Sequence, residues 1–461
     1  MAISEMTPAS PFNQSMSPEL ALSEELASRF RREFAANPAN RLAQNAVTQV
    51  TVDDITLNRA IVTETDHTFS IQLDDWTVTN QKRTGRCWMF AGLNLLRVGA
   101  RKTMGIKSFE FSQNYLMFWD KLERANYFLE NIIETADRDA DDRLVSFLLA
   151  RPAEDGGQWN MFVNLVKKHG LVPKSIMPET ESSSNSMRMN SILRRKLREG
   201  AKRLRDLYAE GAGLEALRAT KQSILSEVYK IVSIHLGTPP ERFTWQWADQ
   251  SKEFHRDPDL TPREFAARYV DLPLDEYVCL VNDPRPNSPF GRTFTVQCLG
   301  NVVGGERVTY LNLDMPTLKH IAQRTLEDNE PVWFGCDSGK MMHRDLGVWD
   351  KDLYDYEALY QTTLNLSKAD RLIYHETAMT HAMLFTGVDL VDGRPRRWRV
   401  ENSWGEEGGQ KGFYTLNDSW FDEHAFEIAA RKSYLAPEMQ AALDVEPITL
   451  PAWDPMGALA R

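Results

Sequence analysis

The chain has 461 residues, 42% of them apolar and 26% charged, with a formal net charge of −11. That length exceeds what one hydrophobic core ordinarily fills and predicts two or three domains. The acidic balance argues against general affinity for nucleic acid, and no apolar run is long enough to predict a membrane-spanning helix.

Residues Met1 to Phe12 are polar and lack the basic-then-apolar order of a signal peptide. From about Pro18 to Asn45 charges interleave with Leu20, Leu22, Leu26 and Phe30, which predicts a helix opened by Ser17-Pro18. Residues 46–61, rich in Val, Ile and Thr, read as extended. Trp88, Ala91, Leu95 and Gly99 recur at helical spacing, so Cys87 falls at a helix N-terminus. An aromatic-rich helix follows over 112–131. The loop Asp155-Gly156-Gly157-Gln158 comes next, and then a helix over 161–169. Residues 182–236 read as charged helix, with a basic run from Arg188 to Arg205 and with Leu193, Leu197 and Leu204 on one face. The last third reads as strands: 331–336, then a hairpin of 382–389 and 397–401 about Asp392-Gly393, then 412–416.

Cys87, Cys279, Cys298 and Cys336 are widely spaced and form no C-x-x-C pair. Reduced thiols in a cytoplasmic protein are the expectation, with neither disulfides nor structural zinc. His343, His375 and His424 share no metal-ligand spacing, and neither H-E-x-x-H nor a phosphate-binding glycine loop occurs. No metal and no cofactor is therefore expected.

The chemistry lies in three separated residues. Cys87 follows Gln81-Lys82-Arg83-Thr84-Gly85-Arg86, His381 begins a strand, and Asn402 lies in Glu401-Asn402-Ser403-Trp404-Gly405. A thiol attacks a carbonyl as its thiolate, which a helix N-terminus and a nearby imidazolium both stabilise. Asn402 would orient His381, and the Gln81 amide would join the Cys87 N–H in an oxyanion hole. Singly, each residue has a plainer role as buried thiol, structural histidine or turn asparagine. The combination reverses those odds.

The Gln81…Cys87-Trp88 and Asn402-Ser403-Trp404-Gly405 segments resemble the motifs of papain-like cysteine peptidases. The Cys87–His381 separation is roughly twice the ~130–150 residues typical of papain and cathepsins, so a large insertion must divide the site. That arrangement resembles the bleomycin hydrolase and bacterial aminopeptidase C family. Also similar are Ser112-Gln113-Asn114-Tyr115, Asp155-Gly156-Gly157-Gln158-Trp159, Gly170-Leu171-Val172-Pro173-Lys174 and Trp453-Asp454-Pro455-Met456-Gly457.

The resemblance implies an α+β fold: a papain-like core with a large helical insertion and a C-terminal arm. Its parts would be an N-terminal segment (1–70), a helical half bearing the nucleophile (71–180), a mostly helical insertion (181–325), a β-rich half bearing His381 and Asn402 (326–450) and the arm (451–461). It further implies a homohexamer acting on peptides with free N-termini. The arm would lie in the cleft, where its terminal carboxylate meets the substrate amine. Arg461 would be removed by the enzyme itself, leaving Ala460 as the terminus. From the residues alone such a tail reads as disordered, and the resemblance overturns that. By analogy Gly156 and Gly157 would pair with substrate backbone, although a plain tight turn accounts for them as well. Alternatives left open are a broader endopeptidase or amide hydrolase, and a nucleic-acid-binding protein on the same fold. The basic run reads better as the solvated face of an amphipathic helix.

Overall fold

A computed structural model describes residues 20–73 and 76–460, within which two compact units form: Met1–Asn58 with Tyr354–Leu364, and Arg59–Leu353 with Asn365–Arg461. In the first unit the helix expected over 18–45 is two helices, α1 (Glu24–Ala36) and α2 (Pro38–Val47), while Ser17 and Pro18 lie outside the described residues. Pro38 cannot continue a helix but fits the first position of a new one. Asn37 serves both, ending α1 and capping α2 through the Ala39 N–H at 3.0 Å.

The extended reading of 46–61 is wrong: Val52–Thr56 and Arg59–Glu64 are short helices. Thr51 caps the first of these, and Asp53 and Asp54 in its first turn suit the positive end of the helix. These local devices outweigh the β propensity of the Val, Ile and Thr residues.

The second unit contains α3 (Cys87–Met104), α4 (Gln113–Glu134), α5 (Trp159–His169), α6 (Met187–Ala209) and α7 (Leu214–Leu236). Helix α3 ends at Gly105 in the left-handed conformation, φ 64°, the usual glycine stop. The segment expected to be mostly helical to residue 325 is helical to Leu236 and then turns to strands. α-Helices recur at Pro262–Tyr269 and Met315–Glu327, with a single 3-10 turn at Leu274–Glu276. Strands β1 (Tyr277–Val281), β2 (Arg292–Val296) and β3 (Tyr310–Asn312) join the same sheet as the strands of the last third. Val278-Cys279-Leu280-Val281 is an almost continuous apolar run, which suits a strand covered on both faces.

Further strands of this sheet are β4 (Val332–Cys336), β5 (His381–Val391), β6 (Arg394–Glu401), β7 (Phe413–Asn417), β8 (Ala425–Arg431) and β9 (Ile448–Leu450). Among the described residues the sheet has 12 strands, and β1 to β9 run in the order β9-β2-β3-β1-β8-β4-β5-β6-β7. The β5–β6 hairpin turns at Asp392-Gly393, both with positive φ (50° and 75°), as a tight hairpin turn requires. Alternation along β4 separates two cores. Trp333 packs towards α3–α5, and Phe334 lies in a second cluster with Phe385, Trp398 and Phe421. This two-sided sheet fixes the start of β5 and the end of β6, where His381 and Asn402 stand.

Candidate active site

Cys87 is the first residue of α3, fully buried, and followed by the equally buried Trp88. The carbonyl of Trp88 accepts a hydrogen bond from Trp333 Nε1 at 3.1 Å, which ties α3 to β4. On the other flank, Arg86 is buried against Glu179 at 2.7 Å and holds the preceding loop. Burial pushes the Cys87 thiol up to about 12, although the backbone N–H groups of Ala382, Trp88 and Cys87 work in the opposite direction. The Ala382 influence links the halves of the site, because Ala382 directly follows His381.

His381 opens β5, in register with Cys336 on β4, and is itself buried. Its Nε2 donates to Asn402 Oδ1 at 2.9 Å, which leaves Nδ1 as the other ring nitrogen. Asn402 stands one residue past the end of β6, and its Oδ1 also accepts from the Ser403 N–H at 2.7 Å. The indole of Trp404 covers the imidazole at 5.1 Å between ring centroids. Gln81 is held from both ends. Ser403 Oγ donates to its Oε1 at 2.6 Å, and its Nε2 donates to the Thr84 carbonyl at 2.6 Å, leaving a second amide hydrogen.

The loop before α5 lies beside Trp88. Trp88 Nε1 donates to the Asp155 carbonyl at 2.7 Å. A Cβ on Gly157 would come within 2.4 Å of the Trp88 ring, so this glycine is required by close approach. The Gly157 N–H donates to the Ala460 carbonyl at 3.0 Å in an antiparallel bridge, and Gln158 Nε2 donates to the Ala458 carbonyl at 2.5 Å. The Gly156 carbonyl accepts instead from Arg124. Arg461 lies outside the described residues.

One network escaped the sequence reading. Glu401, immediately before Asn402, is fully buried and accepts from Trp76 Nε1 at 2.6 Å, Asn94 Nδ2 at 2.9 Å and Arg97 Nη2 at 2.6 Å. Asn94 and Arg97 belong to α3, so this carboxylate fastens the Asn402 strand to the helix that begins with Cys87. Its signal was a charge at the end of a strand with Trp398 and Val400 buried before it.

The other chemical candidates lead elsewhere. All four cysteines are free. Among the described residues Asp249, Glu253 and His255 could together hold a metal ion, but Asp249 Oδ1 already caps its own hairpin turn. Much of the basic run on α6 is engaged within the chain. Arg198 and Arg205 donate to the carbonyls of Leu149 and Thr135, and Lys196 and Lys202 pair with Glu227 and Asp206. Leu193, Leu197 and Leu204 are buried as the amphipathic reading requires. No helix among the described residues is long and apolar enough to cross a membrane.

Residues 21–457 match the model of the Peptidase C1-like family. The chain belongs to the Peptidase C1-like family. It is 43% identical over 450 residues to bleomycin hydrolase of Gallus gallus, covering 95% of this chain and 99% of that protein. It is 42% identical over 431 residues to aminopeptidase C of Listeria monocytogenes, covering 94% of this chain and 97% of that protein. The crystal structure of PepW from Lactobacillus rhamnosis superposes with a TM-score of 0.94 at 45% identity, covering 96% of this chain and all of that one. As a member of the Peptidase C1-like family the chain is a cysteine-type peptidase with a papain-like fold of mixed helix and sheet.

Proposed function

We propose that the chain is a cysteine aminopeptidase, removing residues from the free N-termini of peptides. The observation that carries the reading is the hydrogen bond from His381 Nε2 to Asn402 Oδ1 at 2.9 Å, with the Ala382 N–H next in the chain favouring the Cys87 thiolate. In this mechanism His381 Nδ1 takes the thiol proton, and Cys87 Sγ attacks the first peptide carbonyl to give a tetrahedral oxyanion. The free amide hydrogen of Gln81 and the Cys87 N–H stabilise that oxyanion. His381 returns the proton to the leaving amine, and water releases the acyl group through the same groups in reverse. Asn402 keeps the imidazole in the required tautomer throughout.

The exopeptidase character rests on the tail. The Gly157–Ala460 bridge supports reading residues 457–460 as an arm that occupies the substrate cleft in the manner of a substrate backbone. With Arg461 removed, the Ala460 carboxylate would anchor the substrate ammonium and bar longer chains on that side. Assembly as a cytoplasmic homohexamer belongs to the same proposal and rests on the family resemblance.

The test uses an aminoacyl amide and its N-acetylated counterpart. Cleavage of the first, rejection of the second, and loss of turnover in Cys87→Ala are expected. Equal cleavage of both substrates would overturn the exopeptidase reading, and an active Cys87→Ala would overturn the mechanism.

A further inference from the structure

Two adjoining cavities, of about 370 and 430 Å³, open beside the nucleophile loop and share Met187 and Arg194. The first is lined by Arg83 and Gly85 of that loop, by Asp155, and by Asn190 and Arg194 of α6. The second continues past Asn185 and Arg188. Together they form one groove running from the loop before Cys87 to the N-terminal end of α6.

The charges in the groove do not cancel. Asp155 is neutralised by Lys121 at 2.5 Å. Burial alone would raise its carboxyl, but Lys121, Ser186 and Asn190 hold it well below the usual range. Arg83, Arg188 and Arg194 form no salt bridge among the described residues, and Glu154 is the one other acid lining the groove. Helix α6 adds to the positive end, because Ser186 at its N-cap makes no side-chain capping bond to the first-turn N–H groups.

A second feature points to a ligand. Asn190 is 6% exposed and donates to Asp155 Oδ1 at 2.7 Å, yet its Oδ1 has no hydrogen-bond partner. Arg194 is one helical turn further along the same face. Asn190 Oδ1 thus stands as an unused acceptor in the wall of the groove that Arg194 also lines.

We infer that this groove receives the side chain of the substrate's first residue and selects an acidic one, with Arg194 and Arg83 meeting its carboxylate. The inference rests on the aminopeptidase reading. There the first residue spans from the Cys87 sulfur towards Ala460. Its flank is bounded by Gly85, two residues before Cys87, and Asp155, two residues before Gly157, the partner of Ala460. A side chain leaving that flank enters the groove.

The experiment compares kcat/KM for glutamyl, glutaminyl, leucyl and lysyl coumarin amides with the full-length enzyme. A glutamyl-over-glutaminyl preference of about tenfold is expected at low salt, the scale of a hydrogen bond to a charged group. It should shrink towards parity near ~1 M salt, where exposed charges are screened. Arg194→Met should lower the glutamyl-to-leucyl ratio about tenfold, and Arg194→Glu should turn the preference towards the lysyl amide. A wild-type enzyme that cleaves the leucyl and lysyl amides without favouring the glutamyl one overturns this inference and leaves the aminopeptidase reading standing. So does a ratio that neither Arg194→Met nor Arg83→Met moves. An enzyme that cleaves none of the four overturns the aminopeptidase reading, and this inference with it.

Discussion

Replacing Glu401 by methionine tests whether the buried network really fastens the Asn402 strand to the nucleophile helix. The carboxylate side chain is fully buried, the Arg97 side chain is 3% exposed, and the two meet at 2.6 Å. Removing the acid strands a guanidinium that cannot shed its proton, together with the donors of Trp76 and Asn94. An unpaired buried charge of this kind costs about 3–5 kcal/mol. The reverse change, Arg97→Met, should cost less, because burial already pushes the Glu401 carboxyl upward and it can take a proton once Arg97 is gone. The double variant should recover much of the loss, since two apolar side chains leave no charge behind. Urea unfolding of the three variants measures these differences. Turnover of an aminoacyl amide should fall with Glu401→Met even where the protein stays folded, because Asn402 is the next residue and Cys87 begins the helix being released. A cost below about 1 kcal/mol for Glu401→Met, or a double variant equal to the sum of the singles, would refute the argument.

Two further outcomes follow from the same geometry. Gly157→Ala would set a Cβ 2.4 Å from the buried Trp88 ring, so the loop must shift and lose its bridge to Ala460. A stability loss of about 1–3 kcal/mol with a raised KM is expected, and an unaltered KM would count against the pairing role of this glycine. Glu427 is fully buried, with Oε1 unpartnered and its carboxyl raised by burial from 4.5 to about 8, while the Cys279 contact works the other way. Its folded form therefore resists ionisation. The contribution of Glu427 is whole below pH 4.5 and is lost as the pH rises through about 8. The loss is at most about 5 kcal/mol, each tenfold in proton affinity being about 1.4. Glu427→Gln should flatten the fall in urea midpoint between those pH values, and parallel profiles would rule the carboxyl out as its source.

The sequence carried the site further than the fold. Cys87, His381 and Asn402 could be picked out as candidates because each sits in a short, chemically constrained context: a helix start, a strand start, and a turn before Trp404. The hairpin that joins the last two was legible from Asp392-Gly393, where both positions need positive φ. What failed were segments whose outcome is decided at a distance or by single caps. Residues 46–61 carry β-forming side chains but are turned into helix by Thr51 and its acidic neighbours. Strands β1 and β2 were hidden because their partners β8 and β9 lie more than a hundred residues away, and pairing at that range leaves no periodic mark beyond a short apolar run; β3 pairs only with these two. The Glu401 network was hidden for the same reason. A lone acid in a strand reveals that it needs partners, but its neighbours in sequence do not reveal that they come from α3.

The thiol raises a question that geometry and electrostatics must answer together. Burial pushes the Cys87 thiol up to about 12, against the thiolate that attack requires. The backbone N–H groups of Ala382, Trp88 and Cys87 favour the thiolate, and an imidazolium beside it would favour it further. On the proposed mechanism His381 supplies the charge as it takes the proton, and Asn402 and Trp404 hold the ring where that transfer can occur. The same residues that bury the sulfur keep it from idle oxidation while no substrate is bound. Low intrinsic reactivity at rest and a thiolate formed only with its imidazolium partner are thus two results of one arrangement. It would be undone by loosening β6 from α3 as surely as by losing Cys87 itself.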